Sequence, residues 1–322
     1  MKMTSLNQIF IQGIIILLFA SSCVQAATLQ ERIYLALPWG PETAQVARWT
    51  PKPQDEDQEL GGPVDFTIGS DGSVALISNL DTTLKVFTSS GTLSQSLLFN
   101  RTNPDRLEGV SRDASGRLAL VGLFGPWPHG ALEQLRLFKP NLQPDQTINL
   151  TTLGVRSALA VEWGTDDHVF IQDNGDFKTW EIRVPNQVIK KVDDENLAWL
   201  CSQGRYLFQY NAGRMTVYSL AGRPLAEYPD NGKDLRFIGV TPAGLLYVLF
   251  RDPQKGLLLE GLTLEGVKSF SVPVVGSHSQ AVLDPDRPHD LRNWRVGFDG
   301  AVYATGDPAE DKFRIYRYEI EP

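Results

Sequence analysis

Phe66-Thr67-Ile68-Gly69-Ser70-Asp71-Gly72-Ser73-Val74-Ala75-Leu76-Ile77 reads as two short apolar strands joined by an Asp-Gly turn. A third strand follows, Leu84-Lys85-Val86-Phe87, and then a second turn at Ser90-Gly91. The same sentence ends the chain: Trp294-Arg295-Val296-Gly297-Phe298-Asp299-Gly300-Ala301-Val302-Tyr303-Ala304-Thr305, then Phe313-Arg314-Ile315-Tyr316-Arg317-Tyr318. Tight hairpins need a residue that tolerates positive φ, and Gly is that residue. A unit this small leaves an apolar face uncovered, so its copies must pack against one another.

Working outward from these two copies gives six units. The first runs from about Gly62 to Phe99. The second runs from Arg106 to Leu150, with its turn at Ser115-Gly116. The third, Ala158 to Val192, has Asp166-Asp167 where Gly is expected. The fourth spans Leu197 to Tyr228, the fifth Leu235 to Val272, and the sixth starts at Trp294. Equivalent turns recur on the order of 40 residues apart, the period of propeller blades. The strands are rich in Val, Ile, Leu, Phe and Tyr, as pleated sheets require. No long stretch carries a 3.6-residue apolar period with caps. Strand units repeating without helices between them predict an all-β, six-bladed β-propeller.

The last unit offers only three strands, Trp294–Phe298, Ala301–Thr305 and Phe313–Ile320, whereas Arg32–Leu37 and Ala44–Trp49 read as strands with no unit of their own. A bare sheet edge is a liability that closed rings avoid. One or both N-terminal segments are therefore expected to complete the last blade. Pro51 to Pro63 reads as a loop, and its acidic run Asp55–Glu59 lacks the fixed ligand spacing of a calcium loop.

The pattern Asp71-Gly72-Ser73-Val74, then Leu84-Lys85-Val86-Phe87, then Ser90-Gly91 resembles the NHL-type six-bladed propellers, as an exported bacterial member. The resemblance covers the chain from about residue 62 onward and implies architecture far more than activity. The second unit departs from it by an insertion and the third by its missing Gly.

Residues 1–26 read as an export signal. Lys2 precedes an apolar stretch from Ile9 to Ala20, and Val24-Gln25-Ala26 precedes Ala27 as a cleavage site. A second reading takes Ala20-Ser21-Ser22-Cys23 as a lipobox, which would anchor the protein to a membrane through a lipid on Cys23. Residues 27–322 then form one propeller domain, periplasmic or secreted. Cys201, in an apolar strand, reads as a buried small hydrophobe. A net charge of -8 argues against nucleic acid as a partner.

No motif for serine catalysis, zinc hydrolysis or phosphate binding is present. The reading therefore favours a binding module over an enzyme, with no cofactor, and with a protein of the envelope or secreted space, or a small anionic ligand, as its partner. Arg106, Arg156, Arg236 and Arg292 each stand at or just before a unit's first strand. That strand lines a propeller's channel, so their guanidinium groups are expected at one mouth, facing an anion or pairing with neighbours such as Glu108, Asp194 or Asp234. The second unit's insertion places Phe124 and Trp127 in a Gly/Pro loop suited either to anchoring a partner or to plugging the ring. The alternative is a calcium-dependent hydrolase or lactonase. The propeller resemblance then implies a Glu, Asn and Asp set in the channel, for which Glu108, Asn196 and Asp234 are the candidates. His278 and His289 share an Asp- and Pro-rich segment that reads as a surface loop rather than a metal site.

Overall fold

The computed structural model describes residues 27–50, 62–100, 105–126, 130–164, 167–175, 178–184, 188–191, 199–200, 206–211, 214–219, 223–229, 235–278 and 293–321. Strand β1 (Thr28–Pro38) comes first in the chain and last in the ring. Blade 1 is β2 (Asp65–Ile68), β3 (Val74–Ser78), β4 (Thr83–Phe87) and β5 (Leu93–Leu98). Blade 2 is β6 (Arg106–Arg112), β7 (Leu118–Phe124), β8 (Leu132–Phe138) and β9 (Pro144–Asn149). Blade 3 is β10 (Ala158–Trp163), β11 (His168–Asp173), β12 (Lys178–Arg183) and β13 (Val188–Lys191). Blade 4 is β14 (Trp199–Leu200), β15 (Tyr206–Asn211), β16 (Arg214–Ser219) and β17 (Pro224–Pro229). Blade 5 is β18 (Leu235–Val240), β19 (Leu246–Asp252), β20 (Gly256–Leu262) and β21 (Lys268–Pro273). Blade 6 is β22 (Trp294–Val296), β23 (Val302–Thr305) and β24 (Lys312–Glu321), with β1 as its outer strand.

Each blade is an antiparallel meander of four strands, and the ring closes where β1 pairs with β24, from Thr28 opposite Glu321 to Pro38 opposite Lys312. Of the two N-terminal segments expected to close it, Arg32–Leu37 lies in the closing strand. Ala44–Trp49 does not form one: it folds back on Trp39 through a single bridge to Val46. The reason is local. Val46 is its one buried residue, and the Gln45 carbonyl is held by the Lys85 ammonium at 2.7 Å, which docks the segment on blade 1 as a loop.

The hairpin turns obey one rule. Gly72 donates to the Gly69 carbonyl at 3.0 Å while Gly69 donates to Ser73 at 2.8 Å, and the same pair recurs at Asp113/Gly116, Thr241/Gly244 and Gly297/Gly300. Such a turn needs left-handed backbone at its fourth position, and Gly72 has φ +77° there. Where Gly is missing from the third unit, Asp167 takes the strained conformation at φ +63°.

The core lies between blades rather than within them. Phe66, Phe87 and Phe313 are wholly buried in the cluster shared by blades 6 and 1; Phe124 and Leu107 occupy the next cluster, between blades 1 and 2. Each such side chain contributes on the order of 2 kcal/mol, so no blade is stable without its neighbours. The antiparallel order puts the turns just described at one end of the ring. The β3–β4 type turns and the blade-to-blade connections share the opposite end, the loop face.

Candidate functional site

The inner strands β2, β6, β10, β18 and β22 stand around the axis with side chains alternating between channel and blade interior. Two residues before each hairpin turn the column reads Thr67, Ser111, Glu162, Gly239 and Arg295. Blades 3 and 6 are opposite in a ring of six, so an interaction between their inner strands crosses the channel. Arg295 makes one. Its Nη1 pairs with Glu162 of blade 3, and its Nη2 lies 2.7 Å from both carboxylate oxygens of Asp65 in blade 1.

The carboxylates of this brace are held from behind. Asp65, its side chain fully buried, accepts from the backbone N–H of Phe66 at 2.8 Å and of Val110 at 3.0 Å. Glu162 accepts from the Ser111 hydroxyl at 3.1 Å, and the Ser111 oxygen in turn accepts from the Trp163 N–H at 3.0 Å. Blades 1, 2, 3 and 6 are thereby tied to one guanidinium. Burial pulls the Arg295 pKa down, but the charges of Asp65 and Glu162 outweigh it and hold the group firmly protonated. Reading along the chain missed this brace, because its partners are 230 and 133 residues apart. Aligning the hairpin turns would have exposed it, by putting Glu162 and Arg295 at one height.

Of the four arginines expected at the mouth, the three described ones stand differently from one another. Arg106 is exposed and pairs with Glu108, one of the neighbours expected from the sequence. Arg156 is exposed just before β10; its own N–H is held by Asp173 at 3.1 Å. Arg236 is buried within β18, 6% exposed, and donates to the Leu235 carbonyl at 3.0 Å. Arg292 lies outside the described residues, as do Asn196, Asp234 and Trp127. Glu108, the remaining residue of the calcium set, forms a bulge in β6. Among the described residues no group of three His, Cys, Asp or Glu side chains is arranged to hold a metal ion.

Near Glu108 sits Glu133 of β8. Burial pushes its carboxyl up to about 7, opposed by the Ala158 N–H it accepts and reinforced by the charges of Glu108 and Asp173. Phe124 is not offered to a partner. As the last residue of β7 it is 1% exposed, packed between blades 1 and 2 beneath the Arg136 guanidinium, because the strand pairs through to Leu132 before the insertion begins. Apolar surface is open on the loop face elsewhere. A groove of about 850 Å³ runs between the 39–50 loop and the turn after β3, and Trp49 and Leu80 are exposed in it.

No family model and no curated protein matches the chain. Among solved structures it is similar to the catalytically inactive virginiamycin B lyase of Staphylococcus aureus with quinupristin. That match covers 91% of this chain and 99% of that one, at 13% identity and a TM-score of 0.51. The chain is a six-bladed β-propeller. A streptogramin B lyase matches over 94% of this propeller and 100% of its own chain, at 11% identity and a TM-score of 0.48. The WD40 repeats of RRP9 match over 89% and 100%, at 9% identity and a TM-score of 0.46. Identities this low speak for fold alone, since propellers host unrelated functions.

Proposed function

We propose that this propeller is an NHL-type, non-catalytic binding module, exported to the periplasm or beyond, which uses its loop face to hold a protein partner or an anionic ligand. The observation that carries the reading is the Arg295 brace. A hydrolytic metal in the channel would need carboxylates free to ligate it, and among the described residues Asp65 and Glu162 are spent on a guanidinium that bridges the ring. The exposed groups suited to recognition on the loop face are Arg106, paired with Glu108, and Arg156 at the mouth, and the groove beside Trp49. Exposed arginines and a tryptophan are common anchors of interfaces.

The test is a pull-down from envelope extract with the mature protein, comparing wild type with an Arg106→Glu/Arg156→Glu double variant and with Trp49→Ala. A partner retained by wild type and lost by either variant supports the reading. Esterase or lactonase turnover that needs calcium and is abolished by chelation would replace it with the hydrolase alternative. Mass spectrometry of the mature N-terminus distinguishes cleavage before Ala27 from a lipid on Cys23.

A further inference from the structure

Arg136 is a half-buried cation whose guanidinium lies over aromatic rings. It sits in the middle of β8, opposite Leu120 on one side and Thr147 on the other. Its guanidinium carbon lies 3.6 Å from the centroid of the Phe124 ring and 5.8 Å from that of Phe99, two rings 5.9 Å apart and tilted against each other. Its Nε donates to Gln134 at 3.0 Å. Among the described residues no carboxylate forms an ion pair with it. Asp105, the charge that acts on it, spends its oxygens on the backbone N–H groups of Asn100 and Gly125, at 3.3 and 3.1 Å. Burial accordingly pulls the Arg136 pKa down, with Asp105 opposing, though arginine stays charged throughout the working range of pH.

This guanidinium opens into a groove of about 390 Å³ at the rim between blades 1 and 2, floored and walled by Leu97, Leu98, Phe99, Phe138 and Pro144. Leu98 is 56% exposed there. Stacking fixes the plane of the fork in advance, so little freedom is lost when an anion is taken. The size is that of a small-molecule site, with an apolar wall and a polar side formed by Arg136, Asn100, Asp105, Gln146 and Thr147. Asp105 lines the same groove and opposes every negative charge on a ligand; Arg136 offsets one such charge but not a second.

We propose that the rim groove binds a small monocarboxylate with an apolar tail, its carboxylate bidentate on the outer nitrogens of Arg136 and its tail along Leu97, Leu98 and Pro144. The site goes beyond the loop-face reading and stands without it, since none of its residues belongs to the mouth or the Trp49 groove. It also gives Phe124 a role: the ring positions Arg136 instead of meeting a partner.

Calorimetric titration of the mature protein with hexanoate, hexanamide and inorganic phosphate tests this. Hexanoate is expected to bind, with hexanamide and phosphate each at least about tenfold weaker, the size of one charge-assisted hydrogen-bond pair. Arg136→Gln should lose hexanoate binding by at least about tenfold, and Arg136→Lys, which keeps the charge but not the fork, should fall between. Because Arg136→Gln uncovers two phenylalanines, Leu98→Glu provides a second variant on an exposed wall, expected to fold normally and to repel the carboxylate. Absence of hexanoate binding to wild type, equal binding of the amide or of phosphate, or full binding by Leu98→Glu overturns the proposal.

Discussion

Substituting Arg295 by Met removes the cation that, among the described residues, pairs with two channel carboxylates. The side chain of Asp65 is fully buried and that of Glu162 is 8% exposed. Breaking a buried ion pair from one side costs about 3–5 kcal/mol, because the surviving charge stays in a poor solvent. Two stranded carboxylates push the value up. The Phe66 and Val110 N–H groups and the Ser111 hydroxyl, which keep their bonds to those carboxylates, pull it down. A loss of about 4 kcal/mol is therefore expected, against a total of about 5–15 kcal/mol for a folded domain. Equilibrium urea unfolding at pH 7, followed by tryptophan fluorescence and by far-UV circular dichroism, measures it, provided the two probes coincide. The decisive comparison is the second substitution. Glu162→Gln should destabilise wild type, where it weakens the brace, and stabilise the Arg295→Met background, where it removes an uncompensated charge. That sign reversal is a coupling that distant sites do not show. If Glu162→Gln destabilises both backgrounds, or if Arg295→Met costs less than about 1 kcal/mol, the guanidinium is not what ties the inner strands together.

Glu133 titrates in the folded protein near 7 and in the unfolded chain at about 4.5, so the folded state holds its proton more tightly and stability declines as pH rises through that window. Glu133→Gln should flatten the decline, with a urea midpoint above wild type at pH 8; parallel curves from pH 5 to 8 would contradict the assignment. His278 has the opposite consequence. Burial lowers its pKa below the usual 6.5, with the Thr305 carbonyl and Glu31 opposing, so acidification protonates the unfolded chain first and stability falls as pH drops beneath 6.5. The His278→Gln variant, compared with wild type by thermal melts between pH 7.5 and 5, should lose part of that slope, and an unchanged slope counts against the argument. Gly244 and Gly72 share left-handed backbone, but a Cβ at Gly244 meets nothing within 4 Å whereas one at Gly72 meets the Tyr34 hydroxyl at 2.8 Å. Gly244→Ala should cost about 1 kcal/mol in backbone strain alone. Gly72→Ala should cost more, because the Tyr34 bond to the Gly72 carbonyl also closes blade 6 onto blade 1; equal melting temperatures would refute the distinction.

The blades were legible because each hairpin turn solves the same local problem, and Gly72, Gly116, Gly244 and Gly300 solve it visibly. The closing strand was legible by counting, since three strands after Trp294 leave an edge to cover. Ala44–Trp49 was misread because an apolar alternation of six residues cannot report that Val46 alone turns inward while Gln45 is tethered to Lys85. Phe124 was visible as an aromatic beside a Gly/Pro loop. What hid its burial was the strand pairing of β7 with β8, which runs to its last residue before the loop starts.

The channel was illegible for a deeper reason. On an open sheet, a carboxylate such as Glu162 with solvent on one side would be an ordinary surface charge. Rolled into a ring of six, the inner strands bring a long side chain such as Arg295 within reach of the opposite blade at the same height. Like charges at that height would repel in a confined space, and unlike charges neutralise each other across it. Glu162 and Arg295 share a height; Arg106, Arg156 and Arg236 stand at different points relative to their strands, and one of them is buried. Shared height therefore lets Arg295 reach Glu162 across the ring, while Asp65, two residues farther from its turn, is reached by the same guanidinium from the neighbouring blade. Arg295 thus belongs to the architecture, and the recognition we propose falls to exposed charges at the mouth and to Arg136 at the rim, which no opposite blade braces.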